Sequence, residues 1–300
     1  MIARRALLYS DGADPATDRP AHVRAASGLA RFRGGLAIAQ DDASFLALVT
    51  DTRVDALALP SDDGVRQFDD ARGNKRRKLD LESIVSLEHG GRERLLAFGS
   101  GSLPSRRRVA IFDGGARLVD ADAFYAAFPR DFVGADPNLE GAVAVGDDLV
   151  LLQRGNGAPT AIDATARVSI AALLAFLDGR GAPPALFDVR PRALGEVDGC
   201  RLGFTDTTLL GAHAVFSAAA EASPDATLDG PVAGVALGVL DDAPAPRWTL
   251  VRDASGAPLL AKIEGVAPHP EPDRLWAVVD VDDATRPSEL LLLALEGFPR

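Results

Sequence analysis

The chain has 300 residues, 47% of them apolar and 25% charged, enough to build a substantial core without staples. A net charge of −11 argues against a nucleic-acid partner or an anionic membrane surface for the molecule as a whole, because phosphate backbones select basic faces. Cys200 is the single cysteine, which excludes an intrachain disulfide framework, and no segment reaches membrane-spanning length.

Residues 1–11 carry two arginines but too short an apolar run for a signal segment, so a cytoplasmic protein is expected, and a monomer. Residues 5–10 form a strand candidate with no neighbouring partner of its own. The first repeated unit is Ala26-Ser27-Gly28-Leu29-Ala30-Arg31-Phe32 followed by the apolar run 35–39. The basic run 72–78 then leads into Asp80-Leu81-Glu82-Ser83, with strands expected at 81–87, 95–99, 108–112 and 116–119 around turn signals at Gly90-Gly91 and Asp113-Gly114-Gly115. A short helix at 122–128 is expected to stop at Pro129.

Asn138-Leu139-Glu140-Gly141 opens a third unit. Within it Ile170, Leu173, Leu174 and Leu177 share one helical face, with Ser169 placed to cap the helix and Gly179 to end it. Both helices are expected as decoration of the outside or rim. Gly203-Phe204-Thr205-Asp206 before 213–217 begins the fourth unit, and Lys262-Ile263-Glu264-Gly265 the fifth, with strands at 261–266, 275–281 and 290–295. The fifth unit lacks an outer strand, which 5–10 can supply.

Ser27, Glu82, Glu140, Thr205 and Glu264 are thus equivalent positions recurring about every sixty residues, the length of one four-stranded propeller blade with some loop. The expected fold is all-β: one five-bladed β-propeller of antiparallel meanders, with blades at about 20–70, 78–122, 136–195, 200–255 and 260–300, the last completed by 4–10. Inner strands that start at a common axis would gather the five equivalent residues into a ring. Three carboxylates and two hydroxyls there suit calcium, a hard cation that takes about 6–8 oxygen ligands.

These residues resemble the calcium-dependent nucleotidases, the apyrase family. The resemblance rests on Ser27-Gly28-Leu29 with Arg33-Gly34, on Glu82 and Glu140, on Gly203-Phe204-Thr205-Asp206 and on Glu264-Gly265. It implies a five-bladed propeller with one central calcium and hydrolysis of nucleoside di- and triphosphates; threonine stands at 205 where that family has serine. The Asp-Leu-Glu and Arg-Gly-Asn-Gly segments also resemble an uncharacterised bacterial propeller family, the nearer relative of the two.

In a meander the loop joining the second strand to the third shares a face with the start of the first. That face would carry Asp42, Ser100, Ser102, Arg107, Arg154, Asn156, Glu221 and Asp280, beside Lys75 and Lys78 from the basic run. Asp42, Glu221 and Asp280 are candidate bases or water-positioning groups. Lys75, Lys78, Ser100, Ser102, Arg107, Arg154 and Asn156 are candidate contacts for a small anionic ligand. The four histidines show no zinc spacing, Cys200 reads as buried and inert, and Trp248 and Trp276 read as packing residues. Two functions follow: a metal-dependent hydrolase of a phosphorylated or other anionic small molecule, or a non-catalytic ligand- or protein-binding propeller with a structural calcium ion.

Overall fold

The computed structural model of the chain describes residues 1–155, 162–222, 230–296 and 298. After β1 (Ala3–Ala6) come four meanders in chain order. The first is β2 (Ala26–Phe32), β3 (Gly35–Gln40), β4 (Phe45–Val49) and β5 (Val54–Ala58); the second is β6 (Leu81–His89), β7 (Arg92–Gly99), β8 (Arg108–Phe112) and β9 (Ala116–Asp120). The third is β10 (Leu139–Val145), β11 (Asp148–Gln153), β12 (Asp163–Ser169) and β13 (Phe187–Arg192). The fourth is β15 (Cys200–Leu210), β16 (His213–Glu221), β17 (Val232–Val239) and β18 (Trp248–Leu250), with the two-residue β14 (Glu196–Val197) added outside β15. β19 (Ile263–Pro268), β20 (Arg274–Val279) and β21 (Glu289–Ala294) form the last sheet together with β1.

Every blade is antiparallel, and the inner strands β2, β6, β10, β15 and β19 stand next to one another around a closed ring, β19 returning to β2. The sequence explains the gradient of burial. β2 and β3 are nearly continuous apolar runs because both of their faces are covered by neighbouring blades, whereas the outermost β5 and β9 are half-open. Each pair of adjacent blades encloses its own core: Leu29, Ile38 and Val278 between blades five and one, Leu46, Ile84 and Leu95 between one and two, and Phe204 and Phe216 between three and four.

Four details differ from expectation. The closing strand pairs over Ala3–Ala6 rather than 5–10, with Ala3 opposite Leu292 and Ala6 opposite Glu289. Leu7 then leaves the ladder after donating to the Ser288 carbonyl at 2.9 Å, and Leu7 and Tyr9 turn into the core between blades five and one. The helical region after β9 continues past Pro129, which precedes a second short helix: α1 is Asp122–Ala126 and α2 is Arg130–Val133. These two and α3 (Ile170–Leu177) are not decoration. Phe124, Tyr125, Phe128, Phe132, Leu173, Leu174 and Leu177 are all buried and form much of the core between blades two and three. Cys200, expected buried, is half-buried at the start of β15.

Candidate functional site

The five repeated residues occupy one structural position. In each inner strand the pairing with the second strand slips by one residue, and the residue left unpaired is Ser27, Glu82, Glu140, Thr205 or Glu264. A bulge of this kind bends the strand and re-aims one side chain. The residues just after the bulge, Gly28, Ser83, Gly141, Asp206 and Gly265, lie where inner strands touch. A Cβ on Gly265 would stand 2.7 Å from the Leu29 amide nitrogen, so no side chain fits there. Asp206 is the charged member of this layer. It is fully buried, accepts from the Val266 amide at 2.8 Å, and its carboxyl is pushed well above the usual range, first by burial.

A second tier follows from the same register. Gln40, Gly99, Gln153, Ala218 and Val279 pair with the residue before each bulge, so Asp41, Ser100, Arg154, Ala219 and Asp280 come next at the same end of the blades. The β15–β16 ladder runs further at this end than in other blades, which carries Glu221 beyond Ala219 and over the ring.

The side chains at this mouth form two unequal groups. In the first, Lys78 Nζ bonds Asp41 and lies 2.6 Å from Asp80 Oδ1, Arg106 reaches Asp80 Oδ2 at 2.9 Å, and carboxylate oxygens of Asp41, Asp80 and Glu82 all lie within 4.8 Å of one another. Among the described residues no ion pair reaches Glu82 itself. Burial, then the charges of Asp41, Asp80 and Glu140, push its carboxyl well above the ordinary range. Asp41 is likewise raised, to about 7, chiefly by burial. Burial also works to raise Asp80, but the Lys78 charge, a hydrogen bond shared with Asp41 and the Arg106 charge outweigh it and hold the group near 2. In the second group Arg154 bonds Glu221 and approaches Glu140 Oε1 at 3.7 Å, and Lys262 Nζ lies 2.7 Å from Glu264 and 3.4 Å from Glu221. Asn138 donates to Glu140 at 2.8 Å.

Between the groups, on blade five, sits Asp280. Among the described residues it has no cationic partner, and burial followed by the charges of Asp282, Glu264, Asp41 and Asp42 raises it to about 8. Asp41, Asp42, Asp80, Glu82, Glu140, Glu221, Glu264 and Asp280 thus outnumber Arg24, Lys78, Arg106, Arg154 and Lys262, and most of the surplus lies on the arc from blade five through blade one to blade two.

Several expected roles change here. The Ser27 hydroxyl donates to the Leu81 carbonyl and the Thr205 hydroxyl bonds Ser217 at 2.8 Å, so three of the five ring positions present carboxylates and two present hydrogen-bonded hydroxyls. Asp42 is held by the Arg24 fork, itself bonded to Gln67 and Asp69. Glu221 is clamped by Arg154 and Lys262. Lys78 bonds Asp41 and Asp80, Ser100 donates to Asp80, and Ser102 links Ser100 at 2.8 Å to Arg106 at 2.9 Å. Lys75 pairs with exposed Asp70 on the outer loop, and Arg107 with Asp122 at 2.8 Å, so neither joins the cluster. Asn156 lies outside the described residues.

Sequence reasoning passed over Asp41, Asp80 and Lys262 as site residues. All three were signalled: Asp80 and Lys262 stand two residues before a ring glutamate in the repeated motif, and Asp41 follows the end of a second strand. Arg106 stood in the basic loop run 106–108, and Arg24 carried no such mark.

The class these observations define is a five-bladed β-propeller with an acidic axial mouth built from repeated bulges. The chain belongs to the family described as "Family of unknown function (DUF6929)", whose model matches residues 22–295. No protein of curated function matches the sequence. Among solved structures, a putative glycoside hydrolase from Bacteroides ovatus is similar at 11% identity over 89% of this chain and 85% of that one, with a TM-score of 0.50. One from Parabacteroides distasonis is similar at 10% identity over 90% and 86%, also at 0.50. A glutaminyl cyclase from Myxococcus xanthus aligns at 12% identity over 98% and 96%, with a TM-score of 0.43. At such identities the likeness is one of fold.

Proposed function

We propose that the axial mouth binds a divalent cation, with calcium the ion its donors suit, and that the protein works as a cation-dependent binding propeller. The reading is carried by the convergence of Asp41, Asp80 and Glu82 from two blades within 4.8 Å, with Glu82 lacking an ion pair among the described residues. Hard carboxylate oxygens of this kind fit calcium. Asp41, Asp80 and Glu82 would hold the ion, Lys78 balancing part of the negative charge, and Glu140 and Glu264 would add to the negative field from the far side of the ring. Bound there, the ion would supply a fixed positive charge able to orient an anionic group. Arg154 and Lys262 shape the opposite wall.

The test is calorimetric titration of chelator-treated protein with calcium and magnesium. Glu82→Gln removes one charged donor and should weaken calcium binding by about tenfold or more. Unchanged affinity in that variant would defeat the assignment.

A second reading is favoured by Asp280. A carboxyl raised to about 8 with no cationic partner among the described residues suits proton transfer near neutral pH, which points to hydrolysis of a phosphorylated or other anionic small molecule. Calcium-dependent phosphate release from a panel of nucleotides and phosphoesters, lost in Asp280→Asn while calcium affinity is kept, would establish it. No release from any member would leave the binding reading alone.

A further inference from the structure

On the opposite face, between blades five and one, the strands leave a groove of about 380 Å³. Arg31 on β2 faces Leu36 close to the hairpin turn, the end of the blade remote from the bulge at Ser27, and β1 and β21 form the other wall. Arg4, Arg5 and Arg31 all line this groove in a protein of net charge −11. Glu289 neutralises Arg4. Among the described residues Arg5 has only a long contact, 3.4 Å from Nη2 to the Thr50 carbonyl. Among the described residues Arg31 has no hydrogen bond or ion pair, and the exposed rim residue Asp51 pairs with neither arginine.

The comparable groove between blades three and four, about 390 Å³, supplies the contrast. Arg167 there meets Asp148 and Asp188, Arg190 meets Asp188 and Asp242, Arg247 meets Asp241, and Arg192 donates to the carbonyls of Asp241 and Ala243. One groove is internally balanced and the other is not. The unbalanced groove also contains an indole. Trp276 is half-buried and packs against His269 with ring centroids 4.9 Å apart, and His269 lies outside the lining. The indole is therefore braced from behind and presents another side to the groove.

We propose that this groove binds a small oxyanion carried on a flat or apolar body, Arg31 and Arg5 taking the carboxylate or phosphate and Trp276 the body. Arginine forks match both anions, and an indole offers a large apolar face at little entropic cost. The site is independent of the axial mouth and needs no metal.

Trp248 and Trp276 are the two tryptophans of the chain, so Trp248→Phe leaves Trp276 as sole reporter. Its emission is followed during titration with phenyl phosphate, benzoate and the uncharged benzyl alcohol. A saturable change is expected with at least one anion, and the stronger of the two identifies the oxyanion. Losing a charge-assisted hydrogen bond should weaken it by about tenfold or more in Arg31→Met and for benzyl alcohol, with partial recovery in Arg31→Lys. Calorimetry on the unsubstituted protein gives the same comparison should Trp248→Phe disturb the fold. No saturable response to either anion up to about 10 mM, or equal affinity in a folded Arg31→Met protein, would overturn the proposal.

Discussion

At Arg154 one guanidinium serves carboxylates of two different blades, bonding Glu221 and lying 3.7 Å from Glu140. Removing one member of a buried ionic group leaves the rest uncompensated, which typically costs about 3–5 kcal/mol, whereas replacing the group by apolar residues is often neutral. Arg154→Met should therefore lower the urea-unfolding free energy by about 3 kcal/mol or more, and Arg154→Met with Glu221→Met should recover most of that loss. The five ring positions were legible because a bulge recurs at one place in the repeat and leaves Glu, Ser or Thr there each time. Which groups would be free was not legible. Asp42 is held by Arg24, eighteen residues earlier on another loop, and no local pattern announces that two such loops fold against one another.

Elements make their own prediction at α3. Asp178, the residue that closes this helix, accepts from Arg94 and Arg117 of blade two as well as from Arg180. Burial works against its charge, but hydrogen bonds from Arg180 and Arg94 and the charges of Arg94 and Arg117 prevail and hold the carboxyl down at about 2. A depressed acid stabilises the fold above its ordinary value of 3.8 and loses that contribution as pH falls towards about 2. Asp178→Asn should melt at a lower temperature than the parent at pH 6, with the difference shrinking as pH falls from about 4 to about 2. A constant difference across that window would contradict the assignment. The helix itself was readable from its apolar spacing and from Ser169, whose hydroxyl does cap it. Its role was not, since amphipathicity tells which face is buried and says nothing of the partner blade.

For the whole molecule, closure concentrates on Leu7, Tyr9 and the short ladder of β1 on β21. Leu7 is fully buried between blades five and one, and Leu7→Ala should cost about 2–5 kcal/mol in urea unfolding, as deletion of a packed leucine leaves a cavity. The blade number could be inferred because repeat spacing is a global property carried locally in every unit. The position of the closing strand could not be inferred to the residue: 3–6 and 5–10 are both strand-compatible, and the choice is made by where residues 288–292 lie.

That arrangement imposes an order on synthesis. The partner of residues 3–6 is made almost three hundred residues later, so while the chain emerges from the ribosome the open flank of blade one has nothing to dock against. An arc without that pairing has uncovered apolar walls on blades five and one, and joining residues 3–6 to residues 289–292 covers them. A growing chain that lacks residues 289–292 would therefore leave the apolar walls of that seam uncovered.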